Sequence, residues 1–195
     1  MIVSISGSQG SGKSTIAKLI AERLGWPRYY MGALRREAAQ KKGMTLAEYN
    51  KLGEVDSSTD LEVDNYQKEL GEKKDNFIIE GRTSWYFIPH SLKLYIDVKP
   101  EIGAERIFKH LKSEENNRNE GKGLESIEDV LVSINERMRS DKRRYRKYFN
   151  IDVHELNNYD FYIDTSNLTI EEVFDECFSF ILEKLEDANI NKVDK

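Results

Sequence analysis

Three glycines, a lysine and a hydroxyl stand in the spacing G-x-x-x-x-G-K-[ST] over Gly7-Ser8-Gln9-Gly10-Ser11-Gly12-Lys13-Ser14. Gly7, Gly10 and Gly12 let the backbone curl until successive N–H groups, that of Ser11 among them, converge on the oxygens of a polyphosphate. Lys13 supplies a compact cation for the β and γ oxygens. The Ser14 hydroxyl suits Mg²⁺, which keeps most of its waters, and Thr15 extends the same turn. The apolar run Ile2-Val3-Ser4-Ile5 before the loop and a helical pattern after it provide the setting such a cradle requires, with the helix adding its positive end.

A second group of charges complements the first. Between Arg137 and Tyr148 seven of twelve residues are basic and one is acidic. On a helix Arg137, Asp141 and Arg144 fall at steps of four and three, so the acid can orient both guanidinium groups. Arginines so held suit phosphoryl transfer, whose transition state spreads charge over the equatorial oxygens. Arg36 and Arg82 each stand near a strand end, where they can grip an acceptor phosphate bidentately. Glu80 ends its strand where a carboxylate can hold Mg²⁺-bound water; an ordinary loop carboxylate is the alternative. A nucleic-acid-binding helix or a plain solvated face would also be rich in basic residues. Trp85, Tyr86 and Phe87 either line an acceptor pocket or pack in the core.

Elements able to position these groups follow from periodicity. Strands are predicted at Ile2–Ile5, Arg28–Met31, Phe77–Ile79, Leu92–Val98 and Tyr159–Asp164. Helices are predicted after the loop to Leu24, over Ala33–Lys42 with Gly32 as a turn, from Thr45, over Ser58–Glu72, from Pro100 to Leu111, over Ile127–Phe149, and along the stripe Ile170 to Leu185. Thr45 with Glu48 matches a capping box. Lys112 to Gly123 is polar and reads as a mobile connection. Alternation of strand and helix implies an α/β three-layer sandwich, a mostly parallel five-stranded sheet with helices on both faces. Ligands then bind beyond the carboxyl ends of the strands.

At 195 residues the chain is expected to be one domain. Its net charge of −5 does not favour nucleic acid as a partner, and no apolar run is long enough for a membrane span. Cys177, the single cysteine, lies within an apolar stripe and reads as a small buried hydrophobe. No cationic leader is evident, and a cytoplasmic monomer is expected. His90, His110 and His154 are too scattered for a zinc site.

Over nearly its whole length the chain resembles the cytidylate kinases and the wider nucleoside monophosphate kinases. Tyr30-Met31-Gly32-Ala33-Leu34-Arg35-Arg36 is similar to their acceptor-binding turn, with Gly32 and Arg36 in the matching places. Phe77-Ile78-Ile79-Glu80-Gly81-Arg82 resembles the strand ending in Glu-Gly-Arg, and Arg137, Asp141 and Arg144 match the lid pattern. Arg106 resembles a lid-base arginine that stacks on the donor adenine, and Tyr159 to Ser166 the last strand and adenine loop. Residues 43–52, the acids Asp56, Asp60 and Asp64, and residues 144–152 lean toward the compact archaeal-type members. The resemblance implies ATP and Mg²⁺, a helical acceptor-binding insert over about 32–74, a lid over about 112–145, and CMP or dCMP as acceptor.

Departures occur where the bacterial members hold the nucleotide, with Thr83 in place of an aspartate after Glu-Gly-Arg and Met31 in place of a serine. Met138 also replaces an aspartate next to the first lid arginine. UMP, another nucleotide, a small metabolite of the dephospho-coenzyme A or shikimate type, and a non-catalytic ATP-binding module therefore stay open.

Overall fold

The computed structural model describes residues 1–113 and 124–193, with side chains through residue 188. Most of the polar connection expected at 112–123, and with it part of the expected lid, lies outside the described residues.

Among the described residues five strands form one sheet: β1 (Ile2–Gly7), β2 (Arg28–Tyr30), β3 (Phe77–Glu80), β4 (Leu92–Asp97) and β5 (Phe161–Asp164). Their order is β2-β3-β1-β4-β5, and every pairing is parallel. β1 and β3 are buried along their whole length, as inner strands with both faces covered must be.

On one face lie α1 (Lys13–Leu24) and α8 (Ile170–Val193). Ile16 and Ile20 of α1 meet Val3, Ile5 and Ile78 of the sheet and Val173, Cys177 and Ile181 of α8. Full burial of each large aliphatic side chain is worth about 1.5–3 kcal/mol. Burial pushes the Cys177 thiol up to about 12, so it serves as core and not as a nucleophile.

On the acceptor side stand α2 (Met31–Lys41), α3 (Leu46–Gly53), α4 (Ser58–Lys73) and the single turn α5 (Ser84–Phe87). The predicted capping box is present: Thr45 Oγ1 accepts from the Glu48 N–H at 3.2 Å, and the Glu48 carboxylate accepts from the Thr45 N–H at 2.7 Å. Beyond β4 come α6 (Pro100–Leu111) and the 23-residue α7 (Ile127–Phe149), which pack together through Ala104, Ile107, Val130 and Ile134.

Several boundaries shift by one or two residues from the sequence reading, and two of the shifts bear on packing. Met31 opens α2 instead of ending β2, because its side chain is buried with Ile2, Phe77 and Ile79. Gly32 is therefore helical. β5 begins at Phe161, while the Tyr159 ring turns inward to pack on Tyr95 and Trp85 at centroid distances of 4.8 and 5.7 Å.

Candidate active site

The glycine-rich loop leaves β1 at Gly7, whose φ is +142°. A Cβ on Gly7 would lie 1.9 Å from the Ile96 carbonyl oxygen, so only glycine lets the loop pass β4. Gly10, at φ +78°, passes close to Gly103 of α6, where a Cβ would come within 2.4 Å of the carbonyl oxygen. Ser8 donates its N–H to Ile96 O at 3.2 Å and its hydroxyl to the Asp97 carboxylate, which fixes the base of the loop. Gly12 caps α1 in a left-handed conformation with no side-chain cap, which leaves the first-turn N–H groups for an anion. Lys13 Nζ crosses the loop and donates to Ser8 O at 2.8 Å.

Ser14 and Glu80 meet directly, the hydroxyl donating to a carboxylate oxygen. Glu80 is 1 % exposed. Its other oxygen is buried without a hydrogen-bond partner, and Arg28 Nη1 stands 3.6 Å from it. A buried carboxylate with an unsatisfied oxygen beside a hydroxyl fits a hard cation that takes oxygen ligands.

A cleft runs from this loop toward the helical insert. Lys13, Ser14, Arg36, Glu80, Arg82 and Arg137 all line it, so residues separated by more than a hundred positions converge. Arg36 Nη1 donates to the Tyr30 hydroxyl at 2.6 Å and to Gly32 O at 3.2 Å. Gly32 lets the Tyr30 ring lie close against the backbone, since a Cβ would come within 2.5 Å of it and the ring would have to shift. Thr83 borders the cleft, and its hydroxyl accepts from Gln67 Nε2 at 3.4 Å.

Asp141 and Arg144 lie behind this wall. Arg82 Nη1 reaches Asp141 Oδ2 at 2.6 Å, and Arg144 Nη2 reaches Asp141 Oδ1 at 2.5 Å. Arg144 is 1 % exposed and does not line the cleft, so it can act on a phosphate only through its neighbours in this conformation. Burial opposes ionisation of Asp141, but Arg82, Arg144 and Arg137 overcome it and hold the carboxyl below its usual range. The acid thus does orient guanidinium groups, and Arg82 is among them.

Arg106 flanks the donor side. Its Nη1 donates to Thr165 Oγ1 at 2.9 Å and its Nη2 to Thr165 O at 2.8 Å, beside a broad recess that Gly12, Thr15 and Leu168 also line. Trp85, Tyr86 and Phe87 do not line the acceptor cleft; Tyr86 and Phe87 pack on Phe149 at 5.6 and 5.3 Å.

Four cleft residues had no assigned role in the sequence reading. Gln9 is 7 % exposed with both side-chain amide atoms unpartnered. Arg35 is held by Asn50 at 2.8 Å and by Asp60, while Asp64 and Gln67 present α4 to the cleft. The acids Asp60 and Asp64 at a spacing of four, together with Gln67, were the available signal for a polar face on α4.

A phosphate cradle between β1 and α1, with an arginine-lined second cleft at the carboxyl ends of a parallel sheet, defines the P-loop kinase class of fold. Solved structures agree on the fold. Shikimate kinase from Bacteroides thetaiotaomicron superposes with a TM-score of 0.62 at 16 % identity, over 95 % of this chain and 98 % of that one. The enzyme of the same name from Aquifex aeolicus gives 0.52 at 20 %, over 97 % and 98 %. The chain belongs to the cytidylate kinase-like family, whose model matches residues 2–167. Proteins named cytidylate kinase include those of Archaeoglobus fulgidus, 36 % identical over 89 % of this chain and 90 % of that one, and Methanocaldococcus jannaschii, 36 % identical over 93 % and 97 %. That of Pyrococcus horikoshii is 34 % identical over 89 % and 84 %.

Proposed function

We propose that this protein transfers the γ-phosphoryl group of ATP to the phosphate of CMP or dCMP. Convergence of Lys13 with Arg36, Arg82 and Arg137 on one cleft carries this reading, because a donor cradle and a second phosphate grip are what the reaction needs. The archaeal relatives named cytidylate kinase support the same acceptor.

An acceptor phosphate oxygen attacks the γ phosphorus, the bond to the β–γ bridging oxygen breaks, and ADP leaves with the new diphosphate. The acceptor is already ionised, so no general base is required. Lys13 and Arg137 offset charge on the transferring group, and Arg36 and Arg82 orient the acceptor. Arg144 and Asp141 position Arg82 from behind. Arg106, tied to Thr165, borders the adenine end. Ser14 and, through water, Glu80 would hold Mg²⁺, which supplies charge neutralisation on the donor phosphates. The insert over about 32–74 provides the acceptor wall. Arg137 reaches the cleft from α7, within the span of about 112–145 expected as a lid, and a cleft closed over the phosphates excludes water, which suppresses hydrolysis.

The test is ADP release from ATP and Mg²⁺ against CMP, dCMP, UMP, AMP, GMP, dephospho-coenzyme A and shikimate, with a no-acceptor control. Strong stimulation by CMP or dCMP is expected. Stimulation by shikimate or dephospho-coenzyme A alone overturns the acceptor, and ATP binding without turnover on any of them overturns the kinase reading.

A further inference from the structure

Asp64 presents a carboxyl group to the acceptor cleft. It sits on α4 one turn from Asp60 and close to one turn from Gln67, is 6 % exposed, and lines the acceptor cleft. Both neighbours are occupied: Asp60 takes Arg144 Nη1 on both oxygens at 2.7 and 2.9 Å, and Gln67 Oε1 accepts from the Ser84 hydroxyl at 2.6 Å. Among the described residues no hydrogen bond or ion pair reaches the Asp64 carboxyl. A carboxyl that lines a cleft with no donor from the protein gains from a ligand that supplies one.

The rest of the cleft indicates which part of a ligand arrives there. Arg36, Arg82, Arg137 and Lys13 gather beyond the carboxyl ends of the strands, where phosphate binds, while Met31 and Val63 line the cleft with Asp64 and offer apolar surface to a planar ring. Resting on the kinase reading above, we propose that Asp64 reads the acceptor base by accepting a hydrogen bond from the exocyclic amine of a 4-aminopyrimidine. A 4-keto pyrimidine turns oxygen lone pairs toward the same carboxylate and is repelled. Cytosine is thereby separated from uracil by one residue, although Thr83 and Met31 stand where related enzymes place polar base contacts.

Protonation sharpens the idea. Burial, then the Asp60 charge, raise the Asp64 carboxyl to about 7, against the opposing pull of Arg35 on α2, Lys68 on α4 and Arg144 on α7. A neutral carboxyl both donates and accepts, so it tolerates either base; the ionised one only accepts. Selectivity for the amine therefore grows as pH rises through 7.

The experiment is steady-state kinetics of wild type and Asp64→Asn with CMP and with UMP from pH 6 to 8, accompanied by calorimetric binding of each nucleotide. The ratio of kcat/KM for CMP over UMP cancels titration of the phosphate itself. In wild type this ratio is expected to rise with pH. In Asp64→Asn, whose amide donates and accepts, it should drop at pH 8 by about tenfold or more, chiefly through KM, and lose its pH dependence. A folded variant that keeps both the ratio and its pH trend overturns the assignment of Asp64 alone. Asp64→Ser provides a second variant with the same expectation. Wild-type protein that phosphorylates neither nucleotide overturns the proposed acceptor, on which this inference rests, instead.

Discussion

Arg144 on α7 grips Asp60 on α4 through one nitrogen and both carboxylate oxygens, at 2.7 and 2.9 Å, with the arginine 1 % exposed. Arg35 of α2 shares that aspartate, and Asp141 links the same arginine to Arg82 at the end of β3. One buried network therefore ties α2, α4, α7 and the acceptor strand together. Removing Arg144 leaves Asp60 with Arg35 alone and Asp141 with Arg82 alone, so the loss approaches from below the cost of a broken buried pair, about 3–5 kcal/mol. Arg144→Met is expected to lower the urea midpoint accordingly. Combined with Asp60→Asn the loss should be less than additive, because the two changes remove one shared contact.

Asp64 has the opposite balance. Its folded pKa of about 7 lies above the unfolded value, so its contribution to stability is present below pH 4 and lost as pH rises through 7. Asp64→Asn removes this penalty. The variant is expected to melt above wild type at pH 8, by up to about 4 kcal/mol at 1.36 kcal/mol per pKa unit, with the gap closing near pH 4. Thermal denaturation at the two pH values checks it.

Asp141 responds in the reverse sense. Its carboxyl is held below the usual range by Arg82, Arg144 and Arg137 against burial, so its contribution is present above about pH 4 and lost as pH falls through the folded value. Asp141→Asn should flatten the acid limb of the stability curve while lowering stability at neutral pH, as measured by denaturant titration across pH 3 to 7.

Gly10→Ala meets two obstacles, a φ of +78° and a Cβ only 2.4 Å from the Gly103 carbonyl oxygen. The loop must shift away from α6. A loss of about 1–3 kcal/mol in stability and a marked fall in ATP affinity are expected, read by melting and by calorimetric titration with ATP.

Lys13→Ala should leave the fold intact, since Lys13 opens α1 at the phosphate loop, where its Nζ donates to the Ser8 carbonyl oxygen at 2.8 Å, and its side chain is not part of the apolar core. Turnover is expected to fall by about 10²–10³. Circular dichroism alongside kcat separates this from unfolding, and wild-type rates would remove Lys13 from the mechanism.

Much of this architecture was legible from local pattern. The parallel sheet followed from alternating apolar runs and helices, and the predicted capping box rests on residues three apart, Thr45 with Glu48. Met31 misled because its apolar side chain continues a strand pattern equally well, and only the pocket formed by Ile2, Phe77 and Ile79 draws it into a helix. Arg35 and Arg36 are adjacent and chemically alike, yet one is buried against Asp60 and Asn50 while the other turns to Tyr30 and Gly32.

The phosphate loop was determined by sequence alone, because its function resides in backbone N–H groups whose directions depend on glycines a few residues apart. Which charges face the substrate was decided only by tertiary structure. Arg144 lies 84 positions from Asp60 and is neutralised by it, whereas Asp64, four residues along the same helix, is left facing an open cleft. Short-range geometry is written in neighbouring residues; the pairing of a buried charge depends on which distant segments pack against it.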